Sequence, residues 1–348
     1  MALRVALLTP FGPPSIRGNA VTAARIARGL SRRGVTVQIW DLSVTPEERV
    51  AREVGRFRPA VLHALHAYRV GPLALRVARR TGAPLVVTLT GTDVNHDLDD
   101  PERGPWVREV LEGAQAVVVF HSSVADRLVA VLPGVEPRLR VIPQAVSLED
   151  RRPFDLSGRW PLPPERVLFV FPGGIRPVKR PRLALEPLGR LATRRPEIRL
   201  LYVGPILDPD EGEALRRALT PLPWARHLGS VPHAQMASLL EQADVVLNCS
   251  LSEGGMANAV LEALAVGRAV LASDVPGNRS LVEDGITGLL FRDADELAAH
   301  AERLAGDPAL RKRLGEAGRA RVLALYPPER EIDGYLDLYQ RLVGAPRA

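Results

Sequence analysis

Short apolar runs recur along the chain, each followed by a longer stretch whose apolar residues fall three or four positions apart. A continuous apolar run suits a strand buried on both faces, and the helical period suits an amphipathic helix. Their alternation predicts parallel sheets with helices on both faces, an α/β architecture. The first series has strands at residues 3–8 and 35–40, a short one within 58–68, then 84–89 and 116–120, and it closes at 140–146. A second series begins at 167–171 and continues through 200–203 and 245–247. Between them, residues 148–164 are polar, proline-bearing and aperiodic, which reads as a linker. The expected domains are therefore 1–150 and 165–327, with a last helix over 328–348 carrying an apolar stripe of Tyr335, Leu338, Tyr339 and Leu342.

Candidate chemistry sits where strands end, because open α/β sheets deliver ligands there. After the first strand, Asn19 reads as the N-cap of a helix with Val21, Ala24, Ile26, Ala27 and Leu30 on its apolar face. Gly18 lies at its mouth, where a backbone amide can meet an anion or a hydroxyl, or simply make a turn. No Gly-x-Gly-x-x-Gly follows this strand, which removes support for a nicotinamide cofactor. His63 and His66 close the third strand without a third ligand at metal-binding spacing, so no metal site is expected, and His63 reads as packed. Thr90-Gly91-Thr92-Asp93 ends the fourth strand, and Asp93 suits sugar hydroxyls or a turn.

The second series carries the denser signals. Gly173, Gly174, Arg176, Lys179 and Arg180 combine glycines and cations at a strand end, as a diphosphate requires. Cys249 to Leu264 reads as a strand end, a small-residue turn at Gly254 and Gly255, and a helix starting near Met256. Glycines let the backbone approach a ligand, and a helix N-terminus favours an anion. Glu253 and Glu262 bracket this turn, and carboxylates accept hydrogen bonds from polyol hydroxyls. Phosphate beside polyol outlines a sugar nucleotide.

These stretches resemble the retaining glycosyltransferases of family 4 (glycosyl transferases group 1), which have the GT-B fold. The likeness covers nearly the whole chain and is densest from Gly173 to Phe291, including Gly267–Arg279 and Val282–Phe291. It implies two doubly wound Rossmann-like domains facing a cleft, with the last helix crossing back to the first domain. It also implies a nucleotide-diphosphate sugar as donor substrate, retention of anomeric configuration, and no metal or other cofactor. Lys179 and Arg176 would then neutralise the diphosphate, assisted by Gly174 and by amides at Gly254, Gly255, Met256 and Ala257. Glu262 would hold the ribose, Glu253 the transferred sugar, and the backbone near Val231 the base. Asp93 joins Glu253, Lys179 and Arg176 in the catalytic set, with Gly18, Asn19, His66 and Thr92 on the acceptor side. The departures are specific. Glu253 and Glu262 are separated by one residue more than in the family pattern, Thr90 replaces a histidine, and Gln144 and Ala145 replace an amide and a glycine. The family arginine position is Gly174, with Arg176 two residues later. Arg17–Ala23, the Thr-Gly-Thr-Asp loop and the Glu-Gly-Gly variant are similar to a divergent subgroup that includes selenosugar synthases.

Composition changes this picture little. A chain of 348 residues with 46% hydrophobic and 25% charged residues suits two globular domains. The single cysteine fits a reducing compartment. The N-terminal apolar run ends at Pro10 and reads as a strand rather than a signal peptide. A net charge of +6 comes without zinc spacing, an RNA-binding aromatic pattern or a basic tail, so nucleic acid is not expected. A cytoplasmic protein, with peripheral contact at the inner membrane face through a lipid acceptor, fits both charge and resemblance. The expected activity is hexosyl transfer to a sugar, lipid or other small-molecule acceptor. A sugar-nucleotide epimerase or a non-catalytic sugar-nucleotide-binding protein is the alternative on the same fold. Base, sugar, acceptor and oligomeric state leave no trace in the sequence.

Overall fold

The computed structural model describes residues 3–148 and 151–344, so the ends of the expected 1–150 domain and of the 328–348 helix lie outside the described residues. The chain divides into two compact units, one of Met1–Ala145 with Tyr326–Ala348, the other Val146–Leu325.

The first unit holds β1 (Arg4–Thr9), β2 (Thr36–Asp41), β3 (Val61–Leu65), β4 (Leu85–Thr88), β5 (Ala116–Val119) and β6 (Leu139–Val141). They form one sheet in the order β2-β1-β3-β4-β5-β6, every neighbouring pair parallel. Successive side chains on a strand face opposite ways, and both faces are covered. Ala6, Leu8, Leu62, Ala64, Val87 and Val117 pack in one core. Val5, Leu7, Val61, Val86 and Val118 pack in another, with Ile26 and Leu30 of the first helix and Ile332, Tyr335 and Tyr339 of the C-terminal helix (Pro328–Gly344). Full burial explains why β3, β4, β5 and β1 past Arg4 read as continuous apolar runs, while the edge strands β2 and β6 are partly exposed. The first helix spans Gly18–Arg32, so Asn19 is not its cap; Arg17 stands at the N-cap in extended conformation and makes no side-chain cap bond.

Two buried polar clusters fasten the C-terminal helix to this unit. His63 is fully buried on β3, with its ring nitrogens 2.7 Å from Thr88 Oγ1 and 2.6 Å from the Tyr339 hydroxyl. Glu331 accepts from Arg25 Nε at 2.7 Å and from the Ala145 amide at 3.2 Å. Gln144 Oε1 accepts from Arg25 Nη2 at 3.1 Å and from Thr22 Oγ1 at 3.3 Å.

The second unit holds β7 (Val167–Pro172), β8 (Ile198–Val203), β9 (Ala225–His227), β10 (Val245–Asn248), β11 (Ala269–Ser273) and β12 (Leu289–Phe291). Its sheet is also all parallel, in the order β12-β11-β10-β7-β8-β9. Phe169, Phe171, Leu200, Tyr202 and Leu271 meet Leu188, Leu191, Leu297 and Leu304 from the flanking helices. Among its described residues the segment read as a linker has no helix or strand, yet it is anchored to this unit. The Arg152 amide donates to Ala234 O at 2.7 Å, Gln242 Nε2 donates to Phe154 O at 2.8 Å, and the Phe154 and Leu156 side chains are buried. These backbone groups find partners on the helix His233–Leu240 and just beyond it instead of in regular structure of their own. Among the described residues no helix is long and apolar enough to cross a membrane.

Candidate functional site

In the second unit, the loops after β7 and β10 are joined at the C-terminal edge of the sheet. After β7 the chain bonds sideways to β8 and its loop, with Gly173 N on Val203 O at 2.8 Å and Ile175 N on Pro205 O at 2.8 Å. A Cβ on Gly204, whose φ is +149°, would lie 2.1 Å from Gly173 O, so only glycine allows this approach. The turn Pro177–Lys179 then brings Val178 O within 2.8 Å of the Leu251 amide, and Arg180 Nε within 2.7 Å of Cys249 O. Cys249 is fully buried, which pushes its thiol up to about 12 and leaves it a packing residue.

These contacts deliver the Lys179 ammonium onto Glu253 Oε1, a short charge-assisted bond between side chains 18% and 10% exposed. The same oxygen accepts from Ser250 Oγ at 2.6 Å and Asn248 Nδ2 at 2.9 Å. Asn248 Oδ1 accepts from the Ser250 amide at 3.0 Å, and Ser273 Oγ donates to Ser250 O at 2.6 Å. Burial pushes the Glu253 carboxyl up; Lys179, then Ser250 and Asn248, more than offset it and hold it below the usual carboxylate range. Asn248 and Ser250 escaped the sequence reading because polar residues at a strand end resemble ordinary turn residues; their spacing before Glu253 is the only signal.

Beyond Glu253 the chain turns through Gly255 at φ +106°, and Gly255 O accepts from Ser280 Oγ at 2.6 Å. The helix begins at Asn258, not Met256, and runs to Ala265. Its first intrahelical bond is Leu261 N to Ala257 O, so the amides with no acceptor inside the helix are those of residues 258–260. Met256 and Ala257 are buried in the approach to the helix. Glu262 consequently lies just past the first turn, and its Oε1 is 2.8 Å from Nε2 of the exposed His233. No local pattern marks that histidine; its pairing depends on the tertiary approach of the helix His233–Leu240. Arg176 is the residue before the turn Pro177–Lys179, Gly174 packs on Leu207, and Val231 is buried.

In the first unit, His66 and Asp93 come together behind their loops. His66 has φ +105°, an uncommon conformation for a residue with a side chain. Its Nδ1 accepts from the amides of Tyr68 at 3.3 Å and Arg69 at 3.2 Å, and its Nε2 is 2.9 Å from Thr92 Oγ1. Burial lowers its proton affinity first, with Asp93 and Asp97 opposing and Arg69 reinforcing that effect. Asp93 is completely buried. Its carboxylate accepts from the amides of Ala67 at 3.0 Å, Thr90 at 3.0 Å, Gly91 at 2.8 Å and Val94 at 3.2 Å. The sequence placed Asp93 in the catalytic set and His66 and Thr92 at the acceptor; the structure engages all three in holding the loops after β3 and β4. Gly18 is exposed and Asn19 half-buried at the head of the first helix. Among the described residues no group of three or more His, Cys, Asp or Glu side chains is arranged to hold a metal ion.

Residues 4–150 match Glycosyltransferase Family 4, and residues 166–307 match Glycosyl transferases group 1. Glycosyltransferase 1 domain-containing protein 1 of Xenopus tropicalis is 26% identical over 93% of this chain and 94% of its own length. The D-inositol 3-phosphate glycosyltransferase of Frankia alni is 30% identical over 75% of this chain and 69% of its own. Among solved structures, Anabaena HepE in complex with UDP-glucose superposes with a TM-score of 0.80 at 16% identity, covering 97% of this chain and 99% of that one. Two all-parallel six-stranded sheets, the paired family matches and this likeness agree. The chain belongs to the family 4 (group 1) glycosyltransferases and has their GT-B fold.

Proposed function

We propose that the protein transfers a hexosyl group from a nucleotide-diphosphate sugar to a hydroxyl-bearing acceptor with retention of anomeric configuration. The observation that carries this reading is the Lys179–Glu253 pair beside the Gly254–Gly255 turn, a cation and a hydrogen-bond-accepting carboxylate held at one sheet edge. Lys179, with Arg176, would meet the diphosphate, whose negative charge grows as the glycosidic bond breaks; stabilising that charge lowers the barrier. Glu253 would accept from hydroxyls of the transferred sugar, and Glu262, steadied by His233, from the ribose. As the bond from the anomeric carbon to the phosphate oxygen breaks, a bond to the acceptor oxygen forms on the same face, and the acceptor proton passes to the departing phosphate. The reading assigns no metal and no cofactor beyond the donor substrate.

The test is a thermal-shift screen against UDP-, GDP- and ADP-sugars, starting with UDP-glucose because the Anabaena neighbour was solved with it. One nucleotide family should raise the melting temperature, and Lys179→Ala should abolish the shift. NMR of the product should then show the anomeric configuration of the donor. A folded protein that ignores every nucleotide sinks the reading. Donor converted without any acceptor would make it an epimerase, and donor bound but never consumed a binding protein.

A further inference from the structure

The strand order β2-β1-β3-β4 reverses direction at β1 and β3, so the first unit has its topological switch point between these neighbours. Ligands of open α/β sheets sit in the crevice outside the strand ends at such a point. The loops after β1 and β3 supply what lies there. Phe11 follows β1, and the Arg17 guanidinium carbon stacks 3.9 Å from its ring centroid. Arg69, four residues past β3, places its guanidinium carbon 5.8 Å from the same centroid. Arg69 is held in place through its amide, which donates to His66 Nδ1 at 3.2 Å.

Two like charges over one ring repel, and among the described residues no ion pair offsets them. Among the described residues neither guanidinium has a carboxylate within ion-pair distance, whereas Arg25, Arg103 and Arg127 of the same unit are paired with Glu331, Asp97 and Asp99. Asp41, the acid beside this loop, is occupied by the amide and hydroxyl of Ser43 at 2.8 and 2.6 Å and by the Gly12 backbone. Burial, then the neighbouring Arg69, lowers the proton affinity of Arg17. The first helix adds to the field. It starts at Gly18 with no acidic residue in its first turn. Its first intrahelical bond is Val21 N to Arg17 O, leaving the amides of residues 18–20 without acceptors in the helix. A stacked guanidinium keeps its edge N–H groups for a planar, two-point contact with phosphate oxygens.

We propose that Arg17 and Arg69, gathered on Phe11 at the β1/β3 switch point, bind a phosphate-type oxyanion carried by the acceptor. The inference rests on the transferase reading above and narrows its acceptor to a phosphorylated one, either a soluble phosphate monoester or a phospholipid headgroup.

The experiment uses the full chain in the Lys179→Gln background, which removes the cation of the second unit's candidate phosphate site. Inorganic phosphate and a sugar phosphate are titrated against it by calorimetry, with the matching neutral sugar as control. Saturable binding of one phosphate per chain is expected, weakened about tenfold or more by Arg17→Gln and by Arg69→Gln, the loss of a charged hydrogen-bond partner. Arg69 is exposed, so its variant keeps the test valid if Arg17→Gln fails to fold. Equal phosphate binding with and without the arginines, or no binding, overturns the proposal. A second arm compares vesicles containing phosphatidylinositol with pure phosphatidylcholine. Arginine-dependent recruitment to the former assigns the phosphate to a lipid, and arginine-dependent binding of the sugar phosphate alone assigns it to a soluble acceptor; vesicle recruitment that ignores the arginines counts against the site. UDP binding is measured separately on the unmodified chain. Its loss would sink the transferase reading while the phosphate titration still judges the arginine pair.

Discussion

Lys179 and Glu253 stand 74 positions apart in the chain, yet the ammonium of one rests on the carboxylate oxygen that Ser250 and Asn248 also reach. The pair ties the loop after β7 to the loop after β10. A ligand diphosphate would compete with Glu253 for the same cation. Glu253 would keep its two neutral donors while it did so.

Glu253 therefore links the site to acid. Burial raises its carboxyl, but Lys179 with the neutral donors lowers it by more, so its folded value is depressed below 4.5. A depressed acid contributes stability that is present above its unfolded pKa and lost as pH falls through its folded one. Stability measured by urea denaturation should drop below about pH 4.5, and Glu253→Gln should reduce that drop. An unchanged acid limb in the variant would show that the pair is not retained in solution.

Gly277→Ala tests the placement of Glu253 from behind. A Cβ there would lie 2.4 Å from Glu253 Cβ and 3.2 Å from its backbone carbons, so the glutamate loop must move. The expected cost is about 1–3 kcal/mol of stability, typical of overpacking, together with weaker nucleotide-sugar binding. Full affinity in Gly277→Ala would dissociate Glu253 from donor binding.

His63 gives the first unit a separate pH dependence. Burial lowers it to about 3, so the fold prefers the neutral ring. The unfolded chain then binds one proton more than the folded chain between about 6.5 and 3, and stability is full above that window and falls as pH decreases through it. The slope should approach about 1.4 kcal/mol per pH unit. Replacing His63 with Gln should flatten it, and a melting-temperature series from pH 7 to pH 4 would be the readout.

Glu331→Ala should be the costliest of these substitutions. The Glu331 side chain is 1% exposed, and its loss takes the carboxylate from Arg25, only 13% exposed, and the acceptor from the Ala145 amide. Removing one partner of a buried ion pair costs about 3–5 kcal/mol. A loss below about 1 kcal/mol, as for a surface pair, would place this contact in water.

Much of the architecture was legible because burial on both faces leaves a plain mark. The strands around Leu7, Val86, Val118, Val170 and Val246 are apolar without interruption, and each ends in the small or polar residues of a ligand-side loop. Lys179, Glu253 and the glycines between Glu253 and Met256 were legible for a related reason: glycine, cation and carboxylate at strand ends have few other uses. Helix starts were less so. Arg17 and Ala257 stand at N-caps without capping side chains, and no local pattern announces them.

The sequence by itself determined the alternation of strand and helix, the two series, the family, and the residue types available for phosphate and polyol. Periodicity and spacing are local, so they survive without coordinates. Only the tertiary structure decided what each polar side chain does. Asp93 suited sugar hydroxyls or a turn by its sequence alone, and the fold closes four backbone amides around it. His233 looked incidental until Glu262 approached it. Nothing in the sequence joins Arg17 to Arg69, yet one phenylalanine ring gathers both. Hydrogen bonds and charges act over a few ångströms, and which groups come that close is set by strand order and loop path rather than by neighbours in the chain.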